Sequence, residues 1–225
     1  MTSIYQQVLG ADFEKLHPKM QERFGFNSVD RIASIGSGVM EEIWRGPFYT
    51  LPFLYVGAWR SIMFPECGKN IPFTIENYAY RDQSGRDTLS WIRRFDVGPI
   101  RHFDEYMIYS ESRKGIVVYL GTHQHLKATL DLYVDDRGGL RMRSGTQRLF
   151  WGNLAFSYPM SLSGNADVRE WYDDEADKYR VEVEVTNPTW GKLFGYHGSF
   201  NVTWKDVSDQ KVPEHILPQR EERRE

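Results

Sequence analysis

The sequence contains only one cysteine, Cys67, among 225 residues. A single thiol cannot form an internal disulfide and cannot by itself build a thiolate metal site. The chain also lacks an uncharged apolar run of about 20 residues, the length that a membrane-spanning helix requires. Its first residues lack the basic start, apolar middle and cleavage site of a secretory signal. We therefore expect a cytoplasmic chain without a membrane span.

Signatures of nucleotide and nucleic-acid binding are also missing. The formal net charge is -3, whereas nucleic-acid binders usually concentrate lysine and arginine on one face. Gly36 and Gly38 begin a glycine-rich segment, but Glu41 stands where a dinucleotide-binding loop needs its third glycine. The chain has no P-loop and no G-x-S-x-G elbow. We therefore expect neither a nucleic-acid partner nor a cofactor.

The chain from residue 71 onward alternates apolar and polar residues in short runs, a pattern typical of antiparallel strands. Two hairpins are predicted, one from segments 71–81 and 89–95, the other from segment 126–134 and a strand that begins near residue 140. Further strands are predicted over residues 34–45, 179–185 and 196–204. Short strands at this spacing, without long helices between them, indicate a barrel or sandwich rather than a parallel sheet.

Two segments are predicted to be helical. Apolar residues from Ile4 to Met20 recur at helical spacing, with a break at His17-Pro18, and residues 52–64 favour a short helix over a buried strand. The predicted fold over residues 1–210 is mainly β, an antiparallel barrel-like or strongly curved sheet with one N-terminal helix and a second short helix. Residues 211–225 carry clustered charge and are expected to form a flexible tail.

Two polar clusters could be mistaken for metal sites. His123 and His125 point to one side if their segment is a strand, but extending the alternation of residues 126–134 places them outward, on the face of Lys127. No third ligand is near in sequence, so no metal site is expected. The acidic run at residues 173–177 lacks the ligand spacing of a calcium loop and predicts a solvated hairpin turn.

Arg93 is the leading candidate for a binding residue. Strand alternation places it on the same side as Trp91 and Phe95, and a buried guanidinium needs a compensating partner. We expect a salt bridge to an inward acid such as Glu41 or Glu76. The alternative is an anchor for the carboxylate or phosphate of a ligand inside an aromatic pocket.

Tyr196 and His197 lie between two glycines, which is typical of the start of a strand but also suits a binding pocket. The predicted ligand-binding residues are Arg93, Trp91, Phe95, Tyr196 and His197.

Three motifs follow one another along the chain: Leu16-His17-Pro18, Trp91-x-Arg93-x-Phe95, and the segment from Asn187-Pro188 to Phe200. In order and spacing, the chain resembles a bacterial family described as domain of unknown function 4166, from about residue 8 to about residue 205. The resemblance implies a β-rich domain that is joined in some relatives to reductase-like or membrane segments. It implies no reaction and no catalytic residues.

Three functions are considered. The first is the binding of a small amphipathic or anionic molecule in a barrel-like cavity, because aromatic residues make up 15% of the chain and Arg93 faces inward. The second is a cofactor-independent hydrolase or isomerase that uses His197 or His102 with a nearby carboxylate. The third is a docking domain for a reductase or membrane partner, which exposed apolar patches would favour. The oligomeric state has no signature in the sequence.

Overall fold

The strands form one antiparallel sheet that closes on itself. The structure, a computed structural model, describes residues 1–151, 154–157 and 164–225. Its strands are β1 Ile32–Arg45, β2 Gly68–Arg81, β3 Asp87–Asp96, β4 Ile100–Ser110, β5 Gly115–Leu120, β6 Leu126–Val134, β7 Leu140–Trp151, β8 Leu154–Ser157, β9 Asn165–Asp173, β10 Lys178–Asn187 and β11 Gly191–Asp206. Pairing runs in order from β1 to β7, passes from β7 to β9, and returns through β10 and β11 to β1.

Within the described residues, ten of these strands close the barrel, and β8 pairs with the last part of β7 as an additional hairpin strand. The predicted antiparallel barrel is confirmed, as are both predicted hairpins. The acidic run forms the turn between β9 and β10, as predicted. None of the described helices is both long enough and apolar enough to cross a membrane.

The connections between strands define two ends of the barrel. At the end that we call the mouth end, the described connections are residues 46–67, 97–99, 121–125 and 188–190. At the opposite end, the closed end, the connections are residues 82–86, 111–114, 135–139 and 174–177. The N-terminal segment and the start of β1 also lie at the closed end.

The N-terminal segment enters the barrel at the closed end. It consists of α1 Ile4–Leu9, a 3-10 turn and α2 Pro18–Phe24, and the predicted break at His17-Pro18 is where α2 begins. The Tyr5 ring packs on Phe24 at 4.7 Å between centroids, and the Tyr5 hydroxyl lies 3.3 Å from the Met107 sulfur on β4. These helices therefore fill the closed half of the barrel interior.

A second helix, α3 Leu51–Trp59, lies at the mouth end between β1 and β2. The predicted helix over 52–64 is confirmed, although it ends five residues earlier than expected. Leu54 is its fully buried side chain and Gly57 packs closely against Met63.

The chain after β11 packs against the outer face of β1 to β5. It includes residues 211–225, which the sequence predicts to form a flexible tail. Ile216 is fully buried in a second apolar cluster that includes the outward-facing Tyr78 and Tyr106. Partial burial raises the pKa of Glu222, but hydrogen bonds from Arg224 and Arg220 outweigh it and lower this pKa to about 2. Two arginines of the tail thus pair with Glu222, while Ile216 packs against the sheet.

The strand phase predicted for β3 is confirmed, because Trp91 and Phe95 are 1% and 0% exposed and belong to the interior cluster. We expect Trp91→Ala and Phe95→Ala each to lower the free energy of unfolding by about 3–5 kcal/mol, the usual cost of truncating a large buried aromatic side chain. Denaturant titration measures this change. Phe48→Ala, which removes an exposed ring, serves as control and should change stability by less than about 0.5 kcal/mol.

Candidate ligand cavity

A cavity of about 650 Å³ lies inside the barrel at the mouth end. The inner faces of β3 to β7 and one side of α3 supply most of its wall, with contributions from β9 and β10. The wall is mainly apolar and includes Phe53, Val56, Trp91, Met107, Ala128 and Leu149. Its size and lining are those of a typical small-molecule site.

The helix α3 is held over this cavity by the loop that follows it. The carbonyl of Ser61 accepts a hydrogen bond of 2.8 Å from the Asp104 amide, and the carbonyl of Arg60 accepts one of 3.3 Å from the Thr122 amide. Gly121 makes this close approach possible, since its φ is +74° and a Cβ there would stand 2.2 Å from the Arg60 carbonyl oxygen. One wall of the mouth is therefore fixed to β4 and to the β5–β6 turn.

Arg93 is buried inside the barrel, where it forms an ion pair and donates hydrogen bonds from two of its nitrogens. Its Nη2 lies 2.6 Å from a carboxylate oxygen of Glu105, Nη1 donates to the Tyr196 hydroxyl at 2.9 Å, and Nε donates to the Phe103 carbonyl at 3.1 Å. Burial opposes the charged form, but Glu105 and Tyr196 outweigh it, so the pKa of Arg93 is raised. The guanidinium stays charged and structurally bound.

Glu105 is the charged partner that faces the cavity. It lies opposite Trp91 in the β3–β4 ladder, and its side chain keeps 12% exposure while Arg93 keeps 2%. Because Glu105 is part of the cavity wall, this exposed edge is directed at the cavity. Burial raises the pKa of Glu105 and the ion pair with Arg93 opposes that rise. The cavity wall thus presents the Glu105 carboxylate, and Arg93 on the side away from the cavity partly balances its charge.

A second buried ion pair joins the N-terminal segment to the barrel. Arg23 of α2 pairs with Glu170 of β9 and donates to the Ser34 hydroxyl at 2.9 Å. The Arg23 guanidinium lies 4.9 Å from the Phe200 ring centroid, a cation–π distance. Burial raises the pKa of Glu170, whereas Arg23 lowers it and Arg93 contributes in the same direction. The two ion pairs are therefore electrostatic neighbours between the N-terminal helices and the cavity.

The structure brings four of the five predicted binding residues together. Trp91 lies on the cavity wall, while Arg93, Phe95 and Tyr196 lie behind it, with the Phe95 and Tyr196 rings 5.1 Å apart. His197 is on the outer face, 3.7 Å from Glu41, because the residue after an inward Tyr196 must point outward.

The predicted partners of Arg93 are wrong, although the predicted salt bridge exists. Glu41 lies at an irregularity in the β1–β11 register, between Met40 and Glu42, and pairs outside the barrel with Arg180. Glu76 also faces outward, 3.3 Å from His215 of the C-terminal segment.

The strand phase predicted for His123 and His125 is wrong as well. Gln124 has φ +51°, so the alternation of β6 does not continue back through the two histidines. The His125 Nδ1 lies 2.9 Å from the Phe150 carbonyl and its ring borders the cavity, whereas Lys127 is buried on the opposite face. Within the part of the chain that the structure describes, no three His, Cys, Asp or Glu side chains are grouped to hold a metal ion.

The two histidines considered for catalysis both lie outside the cavity wall. His102 has its Nδ1 3.8 Å from Asp104, with 41% of its side chain exposed, and His197 is similarly exposed beside Glu41. Each histidine faces a carboxylate, but on the outer surface of the barrel.

Sequence reasoning missed Glu105, Glu170 and Arg23. The segment RHFDEYMIY of β4 has polar residues on both faces, so its alternation gives no warning that Glu105 is inward. Arg23 belongs to a helix, where a charged side chain is normally expected on the solvated side. The need of one buried cation, Arg93, for an acid on the neighbouring strand is a signal that could have found Glu105.

The Arg93→Met variant leaves Glu105 buried without its cation. We expect the free energy of unfolding to fall by about 3–5 kcal/mol, as when a buried ion pair loses one partner. The double variant Arg93→Met, Glu105→Leu should recover much of this loss. Arg143→Met is the matched control, since the Arg143–Asp167 pair is largely exposed and should contribute less than about 1 kcal/mol.

The loss in Arg93→Met should also depend on pH. Without Arg93, the folded-state pKa of Glu105 rises further above its unfolded value, so the stability that its protonation supplies is present at low pH and is lost as pH rises. The deficit should therefore be smaller at low pH than at high pH. An unchanged or raised midpoint at every pH would contradict the structural role of the pair.

The sequence of this chain matches a known protein family. The model of the family described as Domain of unknown function (DUF4166) matches residues 16–200. The uncharacterized protein YndH of Bacillus subtilis (strain 168) is 33% identical to this chain over 201 residues, which is 89% of this chain and 97% of the relative. The match includes the strands that carry Arg93, Glu105 and Glu170, and it confirms the resemblance seen in the motifs. The chain belongs to the family Domain of unknown function (DUF4166).

Proposed function

We propose that this protein binds a small amphipathic molecule inside the barrel. The observation that carries the proposal is the cavity of about 650 Å³, walled mainly by apolar side chains at the mouth end. Water in such a space finds few hydrogen-bond partners, so its replacement by an apolar body is favourable.

The polar groups of the wall limit the chemistry of the bound molecule. The Ser144 hydroxyl already accepts from the Ala166 amide at 2.7 Å, and the Gln147 side chain donates to the Gly164 carbonyl at 2.5 Å. The carboxylate of Glu105 retains an edge toward the cavity. A hydroxyl or amine is the group that such an acceptor recognises, because it donates a hydrogen bond.

An anionic group fits the inner cavity less well. Arg93, the cation expected to anchor it, is turned away from the cavity and held by Glu105 and Tyr196. A carboxylate placed against Glu105 would meet a like charge in a poorly solvated space. Arg60, which borders the cavity beside α3, is the cation that a negatively charged head group could reach at the mouth.

Binding of the fluorescent probe N-phenyl-1-naphthylamine tests the proposal, because the probe is apolar and carries one N–H donor. The purified chain should enhance and blue-shift its emission. Ala128→Trp fills the cavity from the β6 wall and should weaken probe binding at least about tenfold through direct overlap. Val118→Phe, a smaller filling substitution on β5, should give an intermediate loss.

Thr203→Trp is the matched control, since it places the same side chain at an exposed position of β11. Circular dichroism and thermal midpoints establish that each variant is folded. Equal probe binding by the wild type, by Thr203→Trp and by two folded cavity-filling variants would refute binding within the barrel.

A further inference from the structure

Exposed apolar side chains are concentrated at the mouth end. Among the described residues, nine of the thirteen large hydrophobic side chains that are exposed lie on or beside the connections there: Phe48, Tyr49, Tyr55, Val56, Trp59, Ile100, Leu154, Phe156 and Trp190. Phe48 and Trp59 are 79% and 75% exposed. Monomeric proteins rarely expose contiguous apolar patches of this kind without a partner.

The helix α3 accounts for much of this surface. Its sequence, LPFLYVGAW, has no charged residue, so the side turned away from the barrel is as apolar as the buried side. Leu54 faces inward. Tyr55, Val56 and Trp59 are exposed, and Val56 and Trp59 also border the cavity at its opening. A surface helix normally keeps a polar face for water. The exposed side of α3 is therefore suited to an apolar environment.

The hairpin of β7 and β8 carries a second part of the same surface. Phe156 lies opposite Leu149, so the two side chains share one face of the hairpin. Leu149 lines the cavity, and Phe156 is 49% exposed. Exposed apolar side chains thus stand on both α3 and this hairpin, and both elements contribute residues to the cavity wall.

Charged residues, unlike the exposed apolar side chains, are concentrated at the closed end of the barrel. The described mouth-end connections contain two charged residues, Arg60 and Glu66, and Glu66 is paired with Arg101 at 2.9 Å. Each closed-end connection carries two or three charged residues, for example the run DEAD at 174–177. One end of the barrel is thus suited to water and the other to an apolar phase.

We propose that the mouth end docks onto the surface of a phospholipid bilayer. Trp59, Tyr55 and Val56 enter the boundary between head groups and acyl chains, where aromatic side chains are favoured. The Arg60 guanidinium lies 4.1 Å from the Trp59 ring centroid and, within the described part of the chain, has no carboxylate partner. It meets the phosphate of an anionic lipid. The cavity then opens directly onto the bilayer.

The distribution of charge favours a bilayer over a second protein chain. A protein interface usually has a rim of polar and charged residues around its apolar centre. Here the described mouth-end connections carry only two charged side chains, of which Glu66 is paired with Arg101, and the Arg60 guanidinium complements anionic head groups. Docking goes beyond ligand binding, since it does not require an occupied cavity.

Flotation of the full chain with vesicles tests the docking. The protein should float with phosphatidylcholine vesicles that contain phosphatidylglycerol, and less with phosphatidylcholine alone. The triple variant Tyr55→Ser, Val56→Ser, Trp59→Ser should bind at least about tenfold more weakly, because it removes apolar area from the docking surface. Arg60→Gln should remove about a fivefold preference for the anionic vesicles.

The triple variant Val29→Ser, Val39→Ser, Leu217→Ser is the matched control, because these side chains are exposed away from the mouth and should not affect flotation. The folded cavity-filling variant Ala128→Trp should still float, which separates docking from ligand binding. A chain that floats with neither vesicle, or equal losses in the two triple variants, would overturn the proposal. A dimer in sedimentation that the α3 triple variant abolishes, without flotation, would overturn it in favour of self-association.

Discussion

The width of the barrel determines how its interior is filled. Eight strands enclose an interior that side chains can just fill, and barrels with more strands are wider. Within the described residues this barrel closes with ten. The inward side chains of the strands therefore do not fill the interior, and the N-terminal helices occupy the remaining space at the closed end. At the mouth end, none of the segments that the structure describes fills the interior in this way, and the cavity of about 650 Å³ remains.

Two buried ion pairs separate these halves. Arg23 arrives with the N-terminal segment and meets Glu170, while Arg93 and Glu105 belong to adjacent strands. Because charges inside a barrel must be paired, the position of α2 is coupled to the electrostatics of the cavity wall. The N-terminal helices thus do more than fill space, since they compensate the carboxylate of Glu170 close to the Arg93–Glu105 pair.

The sequence predicts what is encoded locally. The alternation around Trp91, Arg93 and Phe95 predicts the inner face of β3, and the glycine- and aspartate-rich turns predict the hairpins. Partner identity is not local: Glu105 becomes the acid for Arg93 through strand register, and Glu41, which follows the inward Met40, points outward. The cavity is likewise not encoded locally, because it depends on the number of strands in the barrel and on which end the N-terminal helices occupy.

If the space left by the N-terminal helices holds a small amphipathic molecule, as we propose, that molecule should accompany the protein through purification. Native mass spectrometry of the freshly purified full chain measures this. We expect an adduct with the mass of a small molecule that organic extraction removes, and reloading of the bare chain from a total lipid extract. A chain that carries no adduct after purification and takes up none from the extract would contradict it.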